Sequence, residues 1–192
     1  MNKKQVLFGI CGSFCNHKKI LDQLAKLIDR YDLTFVISEN TAKLDTRFFQ
    51  HAQFRKALSA FTTHDIIDTI PESEKVGPKN QYDVMVIAPA SATTVSKLVN
   101  GIYDTSVTLA AKAILRNDKP ILIGLSTNDF IGISGANLLQ LIARKNMYTL
   151  PMYQDDIQQK PRSMSARFDV LEEAIERVLQ HQQMQPVFVG KE

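Results

Sequence analysis

The sequence predicts an α/β fold: a three-layer, doubly wound parallel sheet with helices on both faces. Short runs of strand length recur along the chain, and most are apolar at successive positions rather than alternating, the mark of strands buried on both faces. Between them lie stretches with apolar residues at helical spacing, and strands joined through helical crossovers build parallel sheets. No linker, repeat or low-complexity run interrupts the pattern, so one domain over residues 1–192 is expected.

Taken in order, residues 5–10 form the first apolar run, followed by a polar turn, Cys11-Gly12-Ser13-Phe14-Cys15-Asn16. Ile20, Leu21, Leu24, Leu27 and Ile28 then share one helix face, with Lys18, Lys19, Asp22, Gln23, Lys26 and Asp29 opposite. Residues 33–38 are a second strand. Phe48, Phe49, Ala52, Phe54 and Leu58 predict a helix, residues 66–70 a short strand, and residues 71–78 a charged loop punctuated by Pro71, Gly77 and Pro78. The strongest strand covers 84–89 and is ended by Pro89. Helices at about 91–100 and 105–116, a strand at 120–125, a helix at about 135–145 and a strand at 148–152 follow. Val170, Leu171, Ala174, Ile175, Val178 and Leu179 make a helical stripe, and residues 186–189 predict a last short strand.

Composition excludes several classes. A net charge of +3, from Lys and Arg scattered along the chain, announces no nucleic-acid or membrane surface. The apolar run at 6–10 is too short for a signal-peptide core, and no stretch approaches the ~20 apolar residues of a membrane span, so a cytoplasmic protein is expected. Cys11 and Cys15 read as a reduced pair; with His17 so close they make no designed zinc set, and His51, His64 and His181 fall in no metal-ligand spacing.

In a doubly wound sheet, ligands bind beyond the carboxyl ends of the strands. The turns there read Cys11-Gly12-Ser13, Ser38-Glu39-Asn40, Pro89-Ala90-Ser91-Ala92-Thr93-Thr94 and Ser126-Thr127-Asn128-Asp129. Small hydroxyl and amide residues at helix starts serve either as N-caps or as a cradle for a phosphate. Several such turns on one sheet edge favour a shared anion site. Gly9-x-x-Gly12 lacks the G-x-G-x-x-G spacing of dinucleotide sites, and neither a G-x-x-x-x-G-K-[ST] loop nor a G-x-S-x-G elbow occurs. A mononucleotide survives this elimination.

The Pro89–Thr94 segment resembles the PASANT segment of the homo-oligomeric flavoproteins that include phosphopantothenoylcysteine decarboxylase, peptide cysteine decarboxylases and flavin prenyltransferase. The likeness extends through Lys97, Asn100-Gly101-Ile102-Tyr103-Asp104, the Gly9–Ser13 turn and Ser38. It implies a flavoprotein-type, Rossmann-like fold, a homo-oligomer, and FMN held by Gly12, Ser13, Ser38, Asn40, Ser91, Ala92 and Thr94. One branch is similar along nearly the whole chain, through Asp45-Thr46-Arg47-Phe48, Val76-Gly77-Pro78-Lys79, Ser126-Thr127-Asn128-Asp129, Gln154-Asp155-Asp156 and Lys160-Pro161. Its members are B subunits of enzymes that make pyridine-2,6-dicarboxylate in sporulating bacteria. That implies an oxidoreductase-type subunit, a small dicarboxylate substrate and a separate nicotinamide-binding A subunit as partner. Arg47, Lys79, Lys160, Ser126, Thr127 and Asn128 are then the candidate substrate contacts. The family's decarboxylases carry a histidine before the PASANT strand and an asparagine within the motif. Here residues 77–81 hold no histidine and Thr93 replaces the asparagine, which sets the chain apart from them. The alternatives are an FMN-dependent decarboxylase or prenyltransferase of the wider family, or a non-catalytic partner-binding subunit.

Overall fold

The computed structural model describes residues 3–190. Its first unit is strand β1 (Lys4–Ile10), helix α1 (His17–Leu27) and strand β2 (Tyr31–Ile37), with β2 parallel to β1 in a register that pairs Phe8 with Phe35. The chain continues through α2 (Glu39–Lys43), α3 (His51–Ser59), α4 (Ile70–Glu74) and α5 (Val76–Lys79) to β3 (Val84–Ala90), which pairs with the free edge of β1. Helices α6 (Ala92–Val99) and α7 (Ser106–Arg116) lead to β4 (Ile121–Thr127), parallel to β3. Helix α8 (Gly135–Ile142), strands β5 (Met147–Thr149), β6 (Met152–Tyr153) and β7 (Met164–Ala166), and helix α9 (Leu171–Leu179) complete it. The sheet order is β2-β1-β3-β4-β7-β6, with β5 also on β4.

Alternate side chains of the buried strands feed two cores, as the continuous apolar runs require. Val6, Phe8, Ile10, Leu33, Phe35, Val84 and Val86 pack against Ile20, Leu24 and Leu27 of α1, Phe54 and Leu58 of α3, and Leu171, Ile175 and Val178 of α9. Leu7, Met85, Ile87, Ile121, Ile123 and Leu125 pack on the opposite side, against Val95 and Leu98 of α6, Val107, Ala110 and Ile114 of α7, and Leu138 of α8. Among the described residues no helix is long and apolar enough to cross a membrane.

Five expectations are corrected. Residues 71–78 are not a loop: Thr69 accepts from the Glu72 amide while Glu72 reaches back to the Thr69 amide, and this capping box starts α4, with α5 following it. The strand expected at 66–70 shrinks to one parallel bridge between Ile67 and Val36, because Ile70 is drawn into α4. Pro89 does not end β3, which runs on to a fully buried Ala90 with a register irregularity against β4 between Ile87 and Ala90. At the far edge the expected 148–152 strand is divided. Its first part, β5, lies parallel along the amino half of β4. After Leu150-Pro151 the chain turns, and β6 and β7 add antiparallel strands, β7 covering the carboxyl half of β4. The 186–189 strand is a single bridge, Phe188 to Met152.

Candidate functional site

The sheet reverses its winding between β1 and β3, because β2 extends one side of β1 and β3 the other. Such a switch point leaves a crevice at the carboxyl edge. Four predicted turns meet there. The Ser38 amide donates to the Ile10 carbonyl at 3.0 Å, and the Cys11 amide donates to the Pro89 carbonyl at 3.1 Å. Ala90 is in register with Leu125, so Ser91 and Ser126 leave neighbouring strands side by side. A Cβ placed on Gly12 would lie 3.6 Å from Cβ of Asn40, which puts the first two turns against each other.

Within the row, hydroxyl chemistry is largely self-satisfied. Ser38 caps α2 by accepting from the Thr41 amide, and its hydroxyl lies 3.0 Å from that of Thr41. Ser91 caps α6 the same way, accepting from the Thr94 amide at 3.2 Å, with its hydroxyl 3.0 Å from that of Thr94. Thr94 donates onward to Cys11 Sγ at 3.3 Å, and Thr41 to the Ile10 carbonyl at 3.4 Å. A hydroxyl has one proton. In the Ser38–Thr41 and Ser91–Thr94 pairs either hydroxyl can donate to the other. Ser38 and Ser91 thus cap the helices that frame the row, each with a hydroxyl partner three residues on.

Further donors line the same edge. Ser13 Oγ accepts from Asn16 Nδ2 at 3.1 Å and keeps its own proton, and the Gly12 amide has no acceptor among the described residues. The first amides of α6, on Ala92 and Thr93, have no intrahelical acceptor. His17 braces this loop from below. It is buried, its Nε2 lies 3.0 Å from the Cys11 carbonyl, and its ring stacks on Phe54 at 4.2 Å. Burial lowers its pKa against the opposing pull of the Cys11 carbonyl, so the imidazole is neutral and Nε2 carries the proton it donates. Burial likewise pushes the Cys11 thiol up to about 11, with the Thr94 hydroxyl opposing. Neither Cys11, His17 nor Thr41 was a predicted site residue. The repeated Ser-x-x-Thr spacing at 38–41 and 91–94 is the sequence signal for Thr41.

The substrate candidates divide. Ser126, Thr127 and Asn128 lie at the end of β4, with the Thr127 hydroxyl 3.3 Å from that of Ser134. Lys160 is in the hairpin between β6 and β7, 3.9 Å from Asp155. That hairpin is held against the end of β4, because the Phe130 amide donates to the Arg162 carbonyl at 2.8 Å and Arg162 also reaches Asp129. Arg47 stands exposed beyond α2 with its guanidinium 4.9 Å from the Phe48 ring centre. Lys79 is not in the row: it ends α5, just before β3 begins, at the amino end of the sheet. A cavity of about 670 Å³ lined by Asp118, Arg144, Lys145, Asn146, Tyr148 and His181 also opens at that amino end and shares no residue with the row.

A carboxyl-edge switch point lined by Gly12, Ser13 and capped helix starts is that of a doubly wound α/β protein, and the chain belongs to the Flavoprotein family, whose model matches residues 1–180. Within that family it is 40% identical over 187 residues to the dipicolinate synthase B subunit of Bacillus subtilis (strain 168), a match covering 97% of this chain and 94% of the relative. The crystal structure of the dipicolinate synthase B subunit from Bacillus halodurans superposes with a TM-score of 0.90 at 38% identity, covering all of both chains. A structure of AnUbiX in complex with FMN and dimethylallyl pyrophosphate shares the fold, with a TM-score of 0.60 at 17% identity over 78% of each chain.

Proposed function

We propose that this chain is the FMN-binding B subunit of a dipicolinate synthase. It works with a separate nicotinamide-binding A subunit to form pyridine-2,6-dicarboxylate from a dihydrodipicolinate-type precursor. The observation that carries the proposal is the near-full-length identity to the B subunit of the Bacillus subtilis enzyme. The carboxyl-edge row supports the cofactor. Small residues leave Gly12 open, with nothing nearer than 3.5 Å to an added Cβ, and neutral N–H and O–H donors surround it. Such donors suit a phosphate.

Ser13 and the Gly12 amide would hold the phosphate, with Asn40 beside them. Ser91, Ala92 and Thr94 would bear the ring system, and Ser38 would fix the wall between. When bound, FMN supplies a two-electron acceptor, which is what removal of a hydride and a proton to aromatise the precursor ring demands. Ser126, Thr127 and Asn128 would orient the dicarboxylate beside it.

The test is a visible absorbance spectrum followed by FMN titration. Saturable binding is expected, with Ser13→Ala weakening it about tenfold, the worth of one hydrogen bond to a charged group. Ser13 caps no helix by its side chain, so this variant reads ligand contact and not helix stability. Absent flavin bands and absent FMN binding would overturn the proposal. Dipicolinate formation should appear only on mixing with the A subunit.

A further inference from the structure

At the carboxyl edge beyond β4, three hydroxyl side chains stand in one cross-strand line. Ser126 of β4 is directly opposite Ser165 of β7, and Ser165 is directly opposite Tyr153 of β6. Opposed residues of antiparallel strands project to the same face, about 4.5–5.5 Å apart. Ser126 shares the face of Gly124, where an added Cβ would meet Ala88, Leu150 and Phe168. The line therefore lies on the α1 and α9 side of the sheet, one strand beyond Ser91.

None of the three side-chain oxygens has a hydrogen-bond partner among the described residues. Ser165 is the sharpest case: the residue is 4% exposed and its Oγ is buried without a partner. An unpaired buried hydroxyl costs stability, and alanine would fill the same place without that cost. Nearby cations are already engaged, Arg162 by Asp129 and Lys160 by Asp155. A ligand at this end of β4 meets neutral O–H donors first. Closely spaced O–H donors match the two oxygens of a carboxylate.

We infer that Ser126, Ser165 and Tyr153 form a hydroxyl row that holds one carboxylate of the substrate beside the flavin site. This inference rests on the FMN and dicarboxylate reading above. Ser126 and Tyr153, both part-exposed, touch the carboxylate. Ser165, sealed between their strands, is a positioning residue that bonds its neighbours once they turn to the ligand. The hairpin that joins the two outer strands is fixed by Ser163 to Asp155 and by Gln154 to the Pro161 carbonyl, which keeps the line in register.

The experiment measures binding of pyridine-2,6-dicarboxylate and of pyridine-2-carboxylate to the FMN-loaded chain by calorimetry, together with melting temperatures of the unliganded protein. Ser126→Ala and Tyr153→Phe are each expected to weaken dicarboxylate binding about tenfold and to lower its preference over the monocarboxylate by a similar factor. Ser165→Ala should weaken dicarboxylate binding severalfold while raising the melting temperature by about 2–4 °C, a combination that a purely structural serine would not give. FMN affinity should stay within about twofold of wild type in all of them. Unchanged dicarboxylate affinity in Ser126→Ala and Tyr153→Phe overturns the row alone, whereas no saturable dicarboxylate binding to the FMN-loaded wild type overturns the row together with the dicarboxylate reading. Failure of the wild type to take up FMN overturns the reading beneath it instead.

Discussion

At the scale of single residues, the two cysteines separate by environment. Cys11 is buried under the row with its thiol pushed up to about 11, while Cys15 is exposed on the same loop. Only the thiolate is a competent nucleophile, and at pH 8 a group titrating near 11 is almost wholly protonated. Iodoacetamide at pH 8 is therefore expected to alkylate Cys15 in the native protein and Cys11 only after denaturation, as peptide mass spectrometry would read. Rapid native labelling of Cys11 would mean that the loop opens. His17 follows the same logic with the opposite sign. Burial depresses its pKa, so the stability that comes with its neutral form is present above its ordinary value of 6.5 and lost as pH falls through the lowered folded value.

Among the elements, β4 is closely packed at Gly124 and is where the site and the sheet share a strand. Gly124 faces Leu150, Ala88 and Phe168, which would lie 3.0–3.1 Å from an added Cβ. These contacts come from three different segments, and Ala88 is locked in fully buried β3. Gly124→Ala is expected to destabilise by about 1–3 kcal/mol, read as a lower urea midpoint at unchanged slope, since overpacking forces backbone shifts. No change in midpoint would show that the two layers give way freely there. The helices are held differently. In α9, Leu171, Ala174, Ile175 and Val178 are buried while Glu172 and Glu176 reach Arg30 on the surface. Such exposed ion pairs add little, so apolar burial fixes this helix.

For the whole molecule, the prediction concerns linkage. A ligand that binds only the folded chain stabilises it by mass action, about 2.7 kcal/mol at a hundredfold excess over its dissociation constant. In a chain of this size that corresponds to about 5–10 °C in melting temperature. FMN at that excess should raise the melting temperature by this amount in wild type and by less in Ser13→Ala. A melting temperature indifferent to FMN would contradict a site built on the folded carboxyl edge. The row draws on β1, β2, β3 and β4 at once, so it exists only when the sheet is assembled.

Local pattern in the sequence was enough to establish the buried parallel strands, the amphipathic stripes of α1 and α9, and the small polar turns at the strand ends. Periodicity and turn chemistry are local, so a one-dimensional pattern carries them. It could not tell a charged loop from the two short helices at 70–79, because a capping box and a few neighbours decide between them. The assembled fold was needed to bring the Thr94 hydroxyl onto Cys11, to place Lys79 at the far end of the sheet, and to set Ser165 between Ser126 and Tyr153. Those facts depend on strand register and on partners distant in the chain, and a side chain's hydrogen bonds are fixed by whatever the fold brings within reach of it.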